Sequence, residues 1–273
     1  MIDLIGVSKV YSRGFIHREH TIAVDNVTLS IKKGESLGLV GESGSGKSTL
    51  GRLALRLIEP TGGTVRFDGM DLATLSRSAL RRTRPRMQIV FQDPDTALDP
   101  VMTVNDCIAE PMKIWHLVPP AEQKERVLEL MDLVGLQPDL VTRYPFEISG
   151  GQKQRVALAR VLALQPDFIV ADEPTAALDL SVQAQILNLI KKIRKTTGLT
   201  LLFISHDLQV IGQMSDTVAV MHQGKIVEHA RTLDILEHPK APYTRDLIAA
   251  AYESDAWMGK IRQKSQVIPL PHP

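Results

Sequence analysis

Short apolar runs rich in Val, Ile and Leu recur at residues 36–40, 87–91, 168–171, 199–204 and 217–221, with helical patterns between them. Runs this short, with little polar alternation, predict central strands of a mainly parallel sheet covered on both faces. Residues 22–31 instead alternate apolar and polar positions, and residues 64–67 run into Asp68-Gly69, a turn signal. A small antiparallel layer beside the parallel sheet is expected there, so the fold class is α/β.

From about residue 93 to residue 143 the strand pattern stops. Residues 121–134 carry Val127, Leu130, Met131 and Val134 at helical spacing behind Pro119-Pro120. This predicts a helical insertion, with a subdomain at about 93–165. Beyond it, residues 224–228 read as a short strand and 233–236 as a helical turn, after which Pro239 and Pro242 punctuate the chain. The last residues, 268–273, alternate with proline and are expected to form a loose tail. No internal repeat is visible.

Composition narrows the class. Of 273 residues, 44% are hydrophobic, and 32 Lys+Arg stand against 31 Asp+Glu for a formal charge of +1. That balance excludes a disordered polymer or a fibrous repeat, and it gives no global attraction to nucleic acid. An anionic ligand must therefore be held locally. One cysteine, Cys107, supports neither an intrachain disulfide nor a metal site by itself, and it reads as a small buried apolar residue. No run approaches the roughly 18 apolar residues of a membrane span, and Met1-Ile2-Asp3-Leu4 is not a basic segment followed by an apolar one.

Residues 41–48, Gly41-Glu42-Ser43-Gly44-Ser45-Gly46-Lys47-Ser48, match G-x-x-x-x-G-K-[ST] between a predicted strand ending at Val40 and a predicted helix over 47–57. The glycines allow a tight turn whose N–H groups point inward, and the helix N-terminus adds positive potential, so the loop can enclose a chain of phosphates. Lys47 is expected to reach the β- and γ-phosphates, and Ser48 to place its hydroxyl on Mg²⁺. Thr49 completes the candidate set. The apolar run at 168–171 ends in Asp172-Glu173, adjacent carboxylates that repel one another unless a cation shares the site. Asp172 is expected to hold Mg²⁺ through its water shell, and Glu173 to face the attacking water as general base.

Ile148-Ser149-Gly150-Gly151-Gln152 resembles the signature motif of ATP-binding cassette (ABC) proteins, and the other motifs of that family follow in its order across nearly the whole chain. The resemblance implies a P-loop NTPase core that occupies residues 1–237, with a C-terminal extension over 238–273. It implies that Tyr11 stacks on adenine, and that Gln92 contacts Mg²⁺ and senses the transport channel. Asp179, in Ala177-Leu178-Asp179, would cross between two nucleotide sites, and His206 would contact the γ-phosphate. Ser149, with the amides of Gly150 and Gly151, opens a helix and forms a second anion site, with Gln152 beside it. In the family two cassettes pack head to tail around ATP, so one chain holds two half-sites.

With one cassette and no membrane span, the resemblance implies a peripheral subunit on the cytoplasmic face of the membrane, serving two separate transmembrane permease subunits. Residues 100–144 would form the groove that receives a permease helix. His238-Pro239-Lys240-Ala241-Pro242-Tyr243-Thr244-Arg245 and the residues around Gln92 and Asp179 resemble the oligopeptide, dipeptide and nickel import subfamily. Its members commonly pair two different ATPase chains and work with an extracytoplasmic solute-binding protein. The single cysteine excludes the iron–sulfur cluster that some of them carry. A peptide importer is expected, with nickel or a chelated metal as the alternative cargo; a soluble ABC ATPase of DNA repair or translation is the alternative of another class.

Overall fold

The computed structural model describes residues 1–13 and 19–253; the expected tail at 268–273 lies outside them. Among the described residues ten strands form two sheets. Strands β1 (Ile2–Arg13), β2 (Glu19–Ile31), β4 (Gly62–Phe67) and β5 (Met70–Asp71) make an antiparallel sheet in the order β2-β1-β4-β5. The second sheet, in the order β10-β9-β3-β8-β7-β6, is built from β3 (Ser36–Val40), β6 (Met87–Val90), β7 (Phe168–Asp172), β8 (Thr200–Ile204), β9 (Thr217–His222) and β10 (Lys225–Arg231). It is parallel from β9 through to β6, and β10 returns antiparallel on β9. The expected mainly parallel sheet with a small antiparallel layer is therefore the fold observed.

The helices are α1 (Lys47–Ala54), α2 (Arg77–Thr83), α3 (Val104–Trp115), α4 (Gln123–Leu133), α5 (Gly150–Leu162), α6 (Leu180–Thr197), α7 (Leu208–Met214), α8 (Thr232–Glu237) and α9 (Pro242–Glu253). Among the described residues no strand occurs between β6 and β7, where α3, α4 and α5 pack together as the insertion. No helix among them is long and apolar enough to cross a membrane.

The side-chain period of two sorts the parallel sheet into two cores. Val170, Leu202 and Ile204 face an apolar cluster shared with the antiparallel sheet and α1, while Ile169, Ala171, Leu201 and Phe203 face the larger cluster of α3 to α7. Every residue of β3, β7 and β8 is buried, which explains their unbroken apolar runs. Cys107 is free and buried on α3, as its composition-level reading required.

Three elements differ from expectation. The helix predicted over 47–57 ends at Ala54, because Arg56 turns the backbone to a φ of 49° and its guanidinium donates to the Leu72 carbonyl. Helix α3 escapes the periodicity reading because Pro111 lies inside it; Thr103 caps its start by accepting from the Asp106 N–H at 3.2 Å. Helix α9 was hidden behind Pro239 and Pro242, yet Pro242 is its first residue, where a missing N–H costs nothing. Its Ile248 is buried against the larger cluster.

Helix α1 lies close on the sheet because Gly51 has no side chain: a Cβ there would stand 2.9 Å from both Ile204 Cδ1 and Val170 Cγ1. Gly51→Leu is expected to cost about 1–3 kcal/mol through overpacking, read as a lower midpoint in urea with an unchanged m-value.

Candidate nucleotide site

Strand register assembles the site. Leu39 pairs with Ile204, Ile204 with Asp172, and Val90 with Ala171, so four parallel strands end at one level. The residues that follow, Gly41, Glu173, Ser205 and Gln92, emerge along the same carboxyl edge, the usual place for a ligand on an open α/β sheet. Two backbone bonds stitch that edge: Ser205 N–H donates to Leu39 C=O at 3.2 Å, and Glu173 N–H donates to Ile204 C=O at 3.0 Å.

The phosphate loop is wedged against its neighbours. A Cβ on Gly41 would drive into the Met221 carbonyl oxygen, and one on Gly46, where φ is 106°, into the Ala23 carbonyl oxygen. From the turn after β9, Gly224 N–H donates to Ser45 C=O at 2.9 Å. Lys47, only 6% exposed, folds back so that Nζ donates to the carbonyls of Gly41 at 2.7 Å and Glu42 at 2.8 Å. Burial lowers its pKa, opposed by the nearby charges of Glu173, Asp172 and Glu42. Ser45 Oγ is buried inside the loop without a hydrogen-bond partner. Glu42, Ser43 and Gly44 form the exposed rim, and Ser48 and Thr49 begin α1 behind them.

Ser48 Oγ donates to Asp172 Oδ1 at 2.9 Å, joining the loop to the end of β7. Burial pushes the Asp172 carboxyl above its ordinary range, with the Ser48 hydrogen bond pulling the other way. Among the described residues no group of three or more His, Cys, Asp or Glu side chains gathers as a metal site. The hydroxyl and carboxylate nevertheless fit Mg²⁺, a hard cation commonly held by one or two protein oxygens with phosphate and water completing its shell. The Asp172 carboxyl stays raised despite the nearby charges of Arg52 and Lys47, so a further cation fits there.

Glu173 has a φ of 48°, and its Oε2 lies 3.2 Å from His206 Nδ1. Ser205 Oγ accepts from Asp207 N–H at 3.0 Å, and Asp207 in turn caps α7, which fixes the backbone on either side of His206. Gln92 is exposed just past β6. Tyr11 sits on β1 opposite Thr21, 43% exposed, with Lys9 Nζ 5.2 Å from its ring centre.

The signature residues form a separate place. Ser149 accepts from Gln152 N–H at 3.3 Å while Gln152 Oε1 accepts from Ser149 N–H at 2.8 Å, a reciprocal capping box that opens α5. This leaves the first-turn N–H groups of Gly150 and Gly151 without intrahelical acceptors. A Cβ on Gly151 would stand 2.5 Å from Val182 Cγ1, so the glycine lets α6 approach. Asp179 caps α6 by accepting from Val182 N–H at 3.0 Å. Among the described residues no hydrogen bond joins the signature to the phosphate loop. The structure thus brings together Lys47, Ser48, Asp172, Glu173 and His206, and keeps Ser149, Gly150, Gly151 and Gln152 apart from them. The sequence reading passed over the Ser205 hydroxyl, whose short side chain carries no signal until its bond to Asp207 is seen.

The family model described as ABC transporter matches residues 24–176. The oligopeptide transport ATP-binding protein OppF of Streptococcus mutans is 44% identical over 93% of this chain and 82% of its own length. The dipeptide transport ATP-binding protein DppF of Lactococcus lactis subsp. cremoris is 48% identical over 85% of this chain and 76% of its own. The dimeric structure of a post-hydrolysis state of an ATP-binding cassette, bound to ADP and Pi, superposes with a TM-score of 0.77 at 32% identity, covering 85% of this chain and 99% of that one.

Because Asp172 is raised by burial, the folded chain binds its proton more tightly than the unfolded chain, and stability falls as pH rises from the ordinary value of 3.8 through the raised one. Asp172→Asn is therefore expected to raise the melting temperature of the nucleotide-free chain at pH 7 by about 1–3 °C. The gap should narrow as pH is lowered toward the unfolded value, which melting curves across pH will read.

Proposed function

The chain belongs to the ABC transporter family, and from that premise we propose that it is the ATP-hydrolysing subunit of a peptide importer. The observation that carries the reading is the pair of bridges on one sheet edge, Ser48 to Asp172 and Glu173 to His206. Both pairs have the chemistry of triphosphate hydrolysis, and relatives named for oligopeptide and dipeptide transport support the cargo.

In this reading Lys47 gives up the Glu42 carbonyl for the β- and γ-phosphates and keeps that of Gly41, so phosphate charge joins the carboxylates already near it. Ser48 and Asp172 would hold Mg²⁺, with Gln92 reaching toward it, and the cation would supply positive charge to the phosphates. Glu173 accepts the proton of the attacking water as its oxygen bonds to the γ-phosphorus, and the β-phosphate oxygen departs with the electron pair of the broken bond. His206 orients the Glu173 carboxylate and faces the γ-phosphate. Tyr11 supplies an aromatic face for adenine. Ser149 and the free amides of Gly150 and Gly151 meet the nucleotide of a second ATPase subunit, a different chain in this proposal.

The permease partner has a candidate seat. A groove of about 250 Å³ opens beside Gln92, lined by Phe91, Pro111, Ile114, Trp115, Ala157 and Val161. Glu110 and Arg160 pair at 2.6 Å on its wall, so an apolar helix with a polar flank fits it. Two permease subunits, each offering such a helix, and a solute-binding protein on the far side of the membrane complete the importer, with this chain on the cytoplasmic face. Nothing in the near-neutral charge favours a DNA-repair or translation role.

Lys47→Ala is expected to weaken ATP binding roughly 100-fold or more, since two charge-assisted contacts are lost. Glu173→Gln should bind ATP but slow turnover at least about 100-fold; undiminished phosphate release in a single-turnover assay would remove Glu173 from the base role. The same Glu173→Gln chain, alone with ATP, is expected to remain monomeric by light scattering. A stable dimer of identical chains would overturn the pairing with a different subunit.

A further inference from the structure

The segment from His238 to Arg245 takes no part in the chemistry above, yet it is tied to the phosphate loop. Glu228 on β10 accepts from the N–H groups of Lys240 and Ala241, both at 2.9 Å, and so seats the start of α9. Burial pushes the Glu228 carboxyl up, but those two bonds, together with Thr244 and the Lys240 charge, hold it below its ordinary value. The next residue but one, Tyr243, packs its ring on His222 with centroids 3.9 Å apart and planes inclined by 32°. His222 ends β9, directly after Met221, whose carbonyl confines Gly41.

The Tyr243 hydroxyl accepts from Glu42 N–H at 3.2 Å. That N–H belongs to the same planar peptide unit as the Gly41 carbonyl, which accepts from Lys47 Nζ at 2.7 Å. One rigid unit therefore has Tyr243 on its donor side and Lys47 on its acceptor side. Turning the N–H away would turn the carbonyl away as well, since the two point in opposite directions across the C–N bond. The glycine on its other flank offers little resistance to such a rotation.

We propose that Tyr243 is a positioning residue for Lys47: its hydroxyl holds the Gly41–Glu42 peptide so that the carbonyl keeps the ammonium at the mouth of the phosphate loop. The proposal rests on the reading of residues 41–48 as the ATP site. It gives the C-terminal segment a function within that site, since α9, Glu228 and His222 together set where the hydroxyl stands. Loss of the hydroxyl alone leaves the ring against His222 and the larger apolar cluster.

The test is steady-state hydrolysis across Mg·ATP concentrations by the assembled importer, this chain with its partner ATPase and permease subunits, with melting curves of the chain itself, for wild type, Tyr243→Phe, Tyr243→Leu and Lys47→Ala. Removal of one hydrogen bond that preorganises binding is expected to raise KM about 3- to 10-fold in Tyr243→Phe, with kcat within about twofold and the melting temperature unchanged. Tyr243→Leu should raise KM at least as far. A wild-type KM in Tyr243→Phe beside a raised one in Tyr243→Leu would show that only the ring matters and would overturn the proposal. So would a fall in kcat that tracks a lowered melting temperature, the mark of a general structural prop. Inactive Lys47→Ala beside an unaffected Tyr243→Phe would remove the role of Tyr243 and leave the ATP site standing, whereas full activity in Lys47→Ala would sink the reading of the site itself.

Discussion

The phosphate loop can exist in this fold only because three backbones come closer than side chains allow. Gly41 lies against the Met221 carbonyl and Gly46 against that of Ala23, while Gly224 N–H reaches Ser45 C=O at 2.9 Å. The loop is thus held on one side by the end of β9 and on the other by β2, a strand of the antiparallel sheet. Such close approach buries peptide groups that must all find partners, and the inward-facing ones are kept for a ligand. The antiparallel layer is in this sense part of the site, because its Ala23 carbonyl forms the wall that excludes a Cβ at position 46.

The wedge also determines the electrostatics. It buries Lys47 at 6% exposure and Asp172 at 7%, and burial moves each pKa toward the neutral form. Their hydrogen-bond partners, carbonyls for Lys47 and one hydroxyl for Asp172, are uncharged, and the carboxylates near Lys47 and the Arg52 and Lys47 charges near Asp172 offset burial only in part. In the proposed complex a triphosphate would add negative charge beside Lys47, and a cation with it would add positive charge beside Asp172. The free chain therefore carries an electrostatic deficit that nucleotide binding relieves, which is a physical reason for ligand-dependent stability in this fold.

What could be read from the sequence was local. The loop from Gly41 to Ser48 announces itself because strand, turn and helix start are contiguous, and Asp172-Glu173 stands out because two carboxylates close an apolar strand. The parallel strands were legible because burial on both faces leaves a run with no polar interruption. What depended on distant contacts was not legible. The early end of α1 follows from the Arg56 guanidinium reaching Leu72, sixteen residues along the chain. Proline hid a helix twice: Pro111 sits inside α3, and Pro242 begins α9. Tyr243 stands 201 residues from Glu42, and nothing in its own neighbourhood points to the loop.

The two anion sites of the chain face different nucleotides in the proposed dimer, yet a short stretch of backbone couples them. Glu173 is pinned to Ile204, and after a turn Asp179 caps α6 through Val182 N–H. Val182 is also the residue whose methyl group occupies the space a Cβ on Gly151 would need. From Glu173, the proposed general base, to Val182 is therefore nine residues of chain. A displacement of Glu173 as γ-phosphate is lost must be absorbed in that turn or passed to α6, and α6 moves against Gly151 with no side chain to cushion it. In the proposed dimer, close packing of Val182 on Gly151 would tie the state of one nucleotide to the surface that grips the other, and a larger residue there would separate them.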